Sequence, residues 1–447
     1  MTESKAGNKR KKSSVKHTRS VQHDRSQRGT GAPTEEAIEQ VLADIVHPAT
    51  LAQIGVFQSL GLRARSLTLP VIVGLVLSVI WRQMGSVCEL ARVVKREAIL
   101  WVPRMKISQQ AINTRLRVIP AELFLKVLQD ILPVLQTRWE GRKRPISAVL
   151  AWAHTHYSQV VICDGSTLDA LIRKAGLLKE LERHPLAGRM TALLDGVSRL
   201  PIWIGYTDDA AAHDQRFWGD ILSQVRAGAL LIFDLGYTNF ERFAQMTGEG
   251  VTFVTRAKDN LVFGVEQVIV CSAAVHDRIV WMGDVTQGTY QRVRLVEVMY
   301  QGKWYRYLSN ELDAGRLPAE MVVGLYRHRW RIEDAFLVVK SLLGLSYFFC
   351  GADNAVNLQV WATWILYAVL VDLTDAVAEA LARPFADISM EMVYRALYHY
   401  VRAHHRGETD DLIAFLVSDY KLFGLVKRKK TVKKTILAPP LTDHDDA

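Results

Sequence analysis

Residues 326–340 read YRHRWRIEDAFLVVK. At roughly 100° per helical residue, Tyr326, Arg329, Glu333 and Lys340 fall within an arc about 60° wide. A second arc, about a quarter turn away, carries Leu325, Ile332, Phe336, Val339 and Leu343 and is wholly apolar. Such a helix docks on a core while presenting a phenol, a guanidinium, a carboxylate and an ammonium beside it. An ordinary amphipathic helix with a solvated Arg329–Glu333 pair would show the same pattern. What separates the two readings is the rest of the chain.

The chain has 447 residues, 49% hydrophobic, with a net charge of +10. That length suggests about three domains with real cores. The excess positive charge is clustered, which favours a polyanionic partner, with nucleic acid first. The longest apolar runs, 67–81 and 360–371, are shorter than the ~20 residues a membrane span requires and read as buried helices, so no membrane partner is expected. The basic amino terminus lacks the apolar segment of a secretory signal. Cys88, Cys163, Cys271 and Cys350 are widely spaced without a Cys-x-x-Cys pair, against a disulfide framework or structural zinc. A reducing, cytoplasmic setting is expected.

Residues 1–34 are Lys-, Arg-, Ser- and Gly-rich and read as a disordered basic tail. Residues 35–146 read as an all-α domain. Within it, 67–81 is a buried helix with Pro70 in its first turn, and 86–96 is amphipathic. In KISQQAINTRLR, residues 106–117, Ser108 caps a helix and Ile107 staples onto Ile112. Gln109, Gln110, Asn113, Arg115 and Arg117 then project, as in a DNA-binding helix-turn-helix.

From residue 158 the period changes. QVVICD ends an apolar strand on Asp164, and an irregular helical excursion over 165–175 leaves it. Two strands about a turn at Asp195 and Gly196 follow, then a helix over 212–228. ALLIFDLGY ends a further strand on Asp234, and after a short helix VTFVTRAK is a fifth strand. Residues 147–258 thus read as the first part of a mixed α/β core, 259–312 as a β-rich insertion and 313–405 as the second part of the core. Residues 406–447 carry a basic arm, KRKKTVKK.

Asp164 and Asp234 become neighbours if their strands are adjacent in the sheet, and ligand sites in such sheets sit at strand ends. Glu333 can reach the same edge from its helix. Three converging carboxylates with no cationic partner repel one another, and divalent metal resolves this; two Mg²⁺ ions about 4 Å apart suit phosphoryl transfer. Single residues here have plainer roles. His154 and His156 read as the end of a helix, Asp208, Asp209 and Asp214 as caps of the next one, and Asp169 as less suited than Asp164 because it does not terminate the apolar strand.

Tyr326, Arg329, Glu333 and Lys340 match, without a gap, the Tyr-x2-Arg-x3-Glu-x6-Lys signature of insertion-sequence transposases of the DDE class, in the IS-four family. Arg329-Trp330-Arg331-Ile332-Glu333 resembles the core of that motif. Asp164-Gly165-Ser166 is similar to the first-acid motif, and Asp234-Leu235-Gly236-Tyr237 to the second, with Leu235 where arginine is usual. The resemblance implies an RNase H-like sheet and a β insertion before the glutamate helix. It also implies that Asp164, Asp234 and Glu333 are catalytic ligands of two Mg²⁺ ions, which Mn²⁺ can replace. Tyr326, Arg329, Lys340, Arg256 and Lys258 then hold DNA phosphates, the first three beside the cleavage point. The implied partners are double-stranded DNA, as terminal inverted repeats and as target, and a second subunit in a homodimeric synaptic complex. Trp281, Trp304 and Tyr305 are candidates to stack on a flipped base. The alternatives are a DNA-binding regulator derived from a transposase and a plain metal-dependent nuclease. The presence of all three acids disfavours the first; the helical amino-terminal domain and the Tyr-Arg-Lys stripe disfavour the second.

Overall fold

The unbroken apolar runs at 160–163 and 230–233, with the β-branched and aromatic TFVT at 252–255, call for strands covered on both faces. In the computed structural model they form the centre of one large sheet. The structure describes residues 33–428 apart from 63–64, 169–170, 175–176, 180–187, 208, 210–213, 287, 346 and 350–351. The strands are β1 (Val160–Leu168), β2 (Leu171–Lys174), β3 (Leu177–Lys179), β4 (Gly188–Asp195), β5 (Pro201–Thr207), β6 (Leu230–Phe233), β7 (Thr252–Arg256), β8 (Gly264–Cys271), β9 (Val275–Met282), β10 (Gln291–Tyr300), β11 (Lys303–Ser309) and β12 (Tyr347–Phe348). Nine of them lie in the order β5-β4-β1-β6-β7-β11-β10-β9-β8, and β12-β2-β3 make a small separate sheet.

β1, β6 and β7 run parallel, while beyond β1 the strand β4 is antiparallel to it and β5 antiparallel to β4. Alternate residues serve two cores. Val160 and Ile162 of β1 face a large core shared with the helices, and Val161 and Cys163 face a smaller one with Phe233, Phe243, Phe253 and Trp218. The strands of 259–312 continue the same sheet, because β11 pairs with β7.

Three expectations need correction. β1 does not stop at Asp164: it runs on to Leu168 against β4, and a strand at 171–174 follows where a helical excursion was expected. The polar DGST segment conceals the strand because its partner is supplied by β4, not by its own pattern. The helix expected over 212–228 is a 3₁₀ turn, Asp214–Phe217, and a short helix, Trp218–Ser223. It ends early because the chain must return beside β1: Gly228, at φ 79°, donates to Gly250 O and accepts from Ser158 N, at 2.8 and 3.0 Å. The apolar helix expected at 360–371 extends over Asp353–Ala380. Residues Asn354–Ala380 are long and apolar enough to cross a membrane by composition, but 94% of the most apolar window is buried inside the protein.

That helix packs on the amino-terminal helices Leu69–Trp81 and Glu122–Gly141. Its charged positions, Asp372 and Asp375, are buried and held by cations from the segment after the Glu122–Gly141 helix. Arg142 reaches Asp372 at 2.7 Å and Asp375 at 3.1 Å, and Arg144 also pairs with Asp375. Pro70 sits in the first turn of its helix, and Ser108 caps the helix Gln109–Val118 by accepting from Ala111 N at 3.1 Å. Ile107 and Ile112 are buried; Gln109, Gln110 and Arg117 are exposed, with Asn113 and Arg115 half-buried. Most of the two basic ends, 1–32 and 429–447, and also Asp169 and Asp208, lie outside the described residues.

Candidate active site

The parallel register of β1 and β6 ends at Cys163 opposite Phe233, and that of β6 and β7 at Phe233 opposite Thr255. The next residue on each chain segment is therefore Asp164, Asp234 and Arg256, one row just past the parallel pairing of three neighbouring strands, with β1 alone running on beside β4. The sheet thus brings the first two acids side by side, as the adjacency argument required.

The third acid arrives on a helix that is not continuous. Ala319–Arg327 ends at His328, and a second helix covers Trp330–Leu337. Bonds from Arg331 N to His328 O and from Ile332 N to Arg329 O, both 3.1 Å, close the junction with i→i+3 spacing. A π turn, Val338–Leu342, follows and carries Lys340. The uniform helix expected over 326–340 is thus interrupted twice. Its apolar arc is nonetheless buried throughout: Leu325, Ile332, Phe336, Val339 and Leu343 all lie in the large core.

Arg329 stands among the acids. Its Nη1 donates to Asp164 Oδ2 at 2.6 Å and its Nη2 to Glu333 Oε1 at 2.7 Å, and its Nε lies 3.9 Å from Asp234 Oδ1. The Arg329 side chain is 6% exposed, whereas Asp234 and Glu333 are 42% and 40% exposed. The site is therefore open on the side of those two carboxylates. Asp164 is enclosed, and burial, together with Asp234 and Glu333, pushes its pKa up to about 7 against the opposing pull of Arg329 and the Gly165 N–H. Burial works against the charge on Arg329, but the surrounding acids outweigh it and raise its pKa. The expectation of carboxylates without a cationic partner is corrected here: the partner is Arg329.

Tyr326 is buried, with its ring 5.2 Å from that of Tyr307, and its hydroxyl donates to Asp234 Oδ1 at 2.9 Å. Burial and Asp234 both raise its pKa, so it stays a phenol. Lys340 Nζ donates to Ser166 Oγ at 2.9 Å and Thr167 O at 3.0 Å, fastening the π turn to the far half of β1. Arg256 lies 5.7 Å from the Tyr305 ring, and its Nε is buried without a hydrogen bond. Lys258 is exposed on the loop after β7. Trp304 stacks on His276 and Trp281 on Tyr290, so both rings have protein partners. His154 and His156 end the helix Ala148–His156.

Sequence reasoning missed the counterion role of Arg329, the Ser166 and Thr167 anchors of Lys340, and His328. Burial and the nearby Arg331, Arg199 and Arg327 lower the His328 pKa from 6.5 to about 2. The unfolded chain therefore binds a proton below pH 6.5 that the folded one refuses. Stability from this group is complete above pH 6.5 and falls as pH drops, by at most about 1.4 kcal/mol per pH unit. Urea unfolding at pH 7 and pH 5 should show the loss, and His328→Gln should show a smaller one. Equal pH dependence in the two proteins would contradict this.

As they stand, no group of three or more His, Cys, Asp or Glu among the described residues is gathered closely enough to hold a metal ion. The donor chemistry nonetheless suits a hard divalent cation, being all carboxylate oxygen, and the positive charge the acids require is already present as a guanidinium.

Residues 176–369 match the family described as Transposase DDE domain, a span that takes in Asp234, Tyr326, Arg329, Glu333 and Lys340 and begins after Asp164. The putative transposase y4zB of Sinorhizobium fredii is 29% identical over 191 residues, covering 41% of this chain and 52% of that protein. The probable transposase for insertion sequence element IS5377 of Geobacillus stearothermophilus is 28% identical over 157 residues, covering 34% of this chain and 41% of that one. The matched segments thus span about half or less of these relatives. The piggyBac transposase in its synaptic complex with hairpin DNA overlaps 88% of this chain and 84% of that one at 11% identity and a TM-score of 0.37, too loose a fit to transfer anything from it. Residues 176–369, a little under half of the chain, are thus similar to the transposase DDE domain, and the two relatives are named as a putative and a probable transposase.

Proposed function

We propose that the chain is an insertion-sequence transposase of the group with the Tyr-x2-Arg-x3-Glu-x6-Lys signature. In this reading it binds the terminal inverted repeats of its element, cuts at their ends and joins them to target DNA. The observation that carries the reading is the row of Asp164 and Asp234 just past the parallel pairing of β1 and β6, joined to Glu333 through one guanidinium. An RNase H-like core accords with the five-strand order β5-β4-β1-β6-β7.

Asp164, Asp234 and Glu333 would hold two Mg²⁺ ions, which when bound supply activation of the attacking oxygen and charge neutralisation at the leaving one. The chain's own groups do the rest. Tyr326 fixes the rotamer of Asp234, and Asp164 is held by Arg329 and its neighbouring N–H. Arg256, in the same row as the acids, and Lys258 just beyond it offer cations along the path of a DNA backbone, with Lys340 held at Ser166 and Thr167 of β1. The helices Val87–Arg96 and Gln109–Val118, each capped by a serine, would read the repeat from a groove. Joining two ends requires two such sites, hence a homodimer on DNA.

The test is to incubate the protein with duplexes carrying the DNA that flanks its reading frame, with Mg²⁺ or with EDTA. Expected is Mg²⁺-dependent cleavage that exposes a 3′ hydroxyl at the repeat end, followed by joining to a second duplex. Binding without cleavage under every metal condition would favour the regulator, and cleavage at any sequence would favour the plain nuclease.

A further inference from the structure

We propose that Arg329 is an internal counterion that closes the acid site in the free protein, and that DNA phosphate draws it away so that metal loads only with DNA in place. The proposal rests on the metal-binding reading above and deepens it: it concerns how that same site is regulated.

The geometry supplies the argument. One guanidinium is hydrogen-bonded to two of the three acids and faces the third at 3.9 Å. A metal ion bridging the same oxygens would sit within a few ångströms of that positive charge, where repulsion with a dication is strong in a partly buried site. Arginine and metal therefore compete for the carboxylates. This accounts for the finding that the acids, though joined by one residue, are not gathered into a cage.

Nothing makes the closed position irreversible. Nε of Arg329 is buried without a hydrogen bond, so one donor is unsatisfied where it now lies. The residue sits at the i→i+3 junction between two helices, not within a regular turn. Trp330, 57% exposed, presents its ring 5.1 Å from the guanidinium, an apolar face along which the side chain can swing toward solvent. A phosphate diester accepts the same bidentate fork as a carboxylate, so arriving DNA offers an equivalent partner outside the site. The acids it leaves behind carry uncompensated charge, which is what a divalent ion requires.

The test measures metal binding, not activity. Mn²⁺ is titrated calorimetrically into the full chain as wild type, Arg329→Gln, Arg329→Lys and Arg329→Gln with Asp164→Asn, each with and without a duplex of the flanking DNA. Without DNA, Arg329→Gln should bind Mn²⁺ at least about tenfold more tightly than wild type. Arg329→Lys, which keeps the charge but has a shorter reach and no planar fork, should fall between them. Asp164→Asn should remove the gain, and the duplex should tighten binding in wild type but not in Arg329→Gln. If neither single variant binds more tightly than wild type, while wild type with DNA takes up Mn²⁺ in an Asp164-dependent way, the counterion proposal fails and the metal site stands. If no condition shows Asp164-dependent Mn²⁺ binding, both fail.

Discussion

Glu333→Gln is expected to lower cleavage at the element's ends by at least about 10³-fold while leaving end binding within about twofold. The substitution keeps shape and one acceptor: the amide oxygen can still receive Arg329 Nη2, which now lies 2.7 Å from Glu333 Oε1. What it removes is one unit of negative charge from a side chain that is 40% exposed at the mouth of the site. Structure and DNA contacts should survive, so the loss falls on the chemical step. Cleavage kinetics and gel-shift titration on the same duplex separate the two effects. A variant that cuts at the wild-type rate in Mg²⁺ would show that the carboxylate has another purpose.

The second large effect is on stability. Asp277→Ala should destabilise the fold by about 3–5 kcal/mol, because it strands a charge that has no access to water. Arg294 is 0% exposed and forks onto Asp277, with Nε 2.8 Å from Oδ1 and Nη2 2.6 Å from Oδ2. Its remaining Nη1 donates to Leu317 O, just before the helix Ala319–Arg327 that delivers Tyr326. This pair therefore ties β9 and β10 to the lead-in of the site. Pairing Asp277→Leu with Arg294→Met should recover a large part of the loss, since no buried charge is then left alone. Urea unfolding measures both proteins; a loss under about 1 kcal/mol in Asp277→Ala would mean that water reaches the guanidinium after all.

The parts of the site that could be read from sequence are those with a local signature. An apolar run that ends on an acid marks Asp164 and Asp234 because a buried strand must become polar where it leaves the core. The face of Tyr326, Arg329, Glu333 and Lys340 is visible because helical spacing is regular, and the apolar arc beside it is buried as periodicity requires. The interruptions at His328–Arg329 and Val338–Leu342 were hidden, since no glycine or proline marks them. At the first, Arg329 is drawn by acids that arrive from two strands far away in the chain. The full length of the helix Asp353–Ala380 was hidden for a related reason. Asp372 and Asp375 look like exposed ends until Arg142 and Arg144, more than two hundred residues earlier, are seen to cover them. Asp277 and Arg294 carry no local mark of burial, and only the packed sheet shows them buried together.

The most direct measurement is anomalous diffraction from crystals of the protein bound to a duplex of its element's end and soaked in Mn²⁺, with Asp234→Asn as the control. The account predicts Mn²⁺ peaks at about 2.0–2.3 Å from oxygens of Asp164, Asp234 and Glu333, with Arg329 displaced onto a phosphate, and loss of a peak in the control. Peaks that avoid all three carboxylates, or none at all with the duplex seated over an undisturbed Arg329, would contradict it.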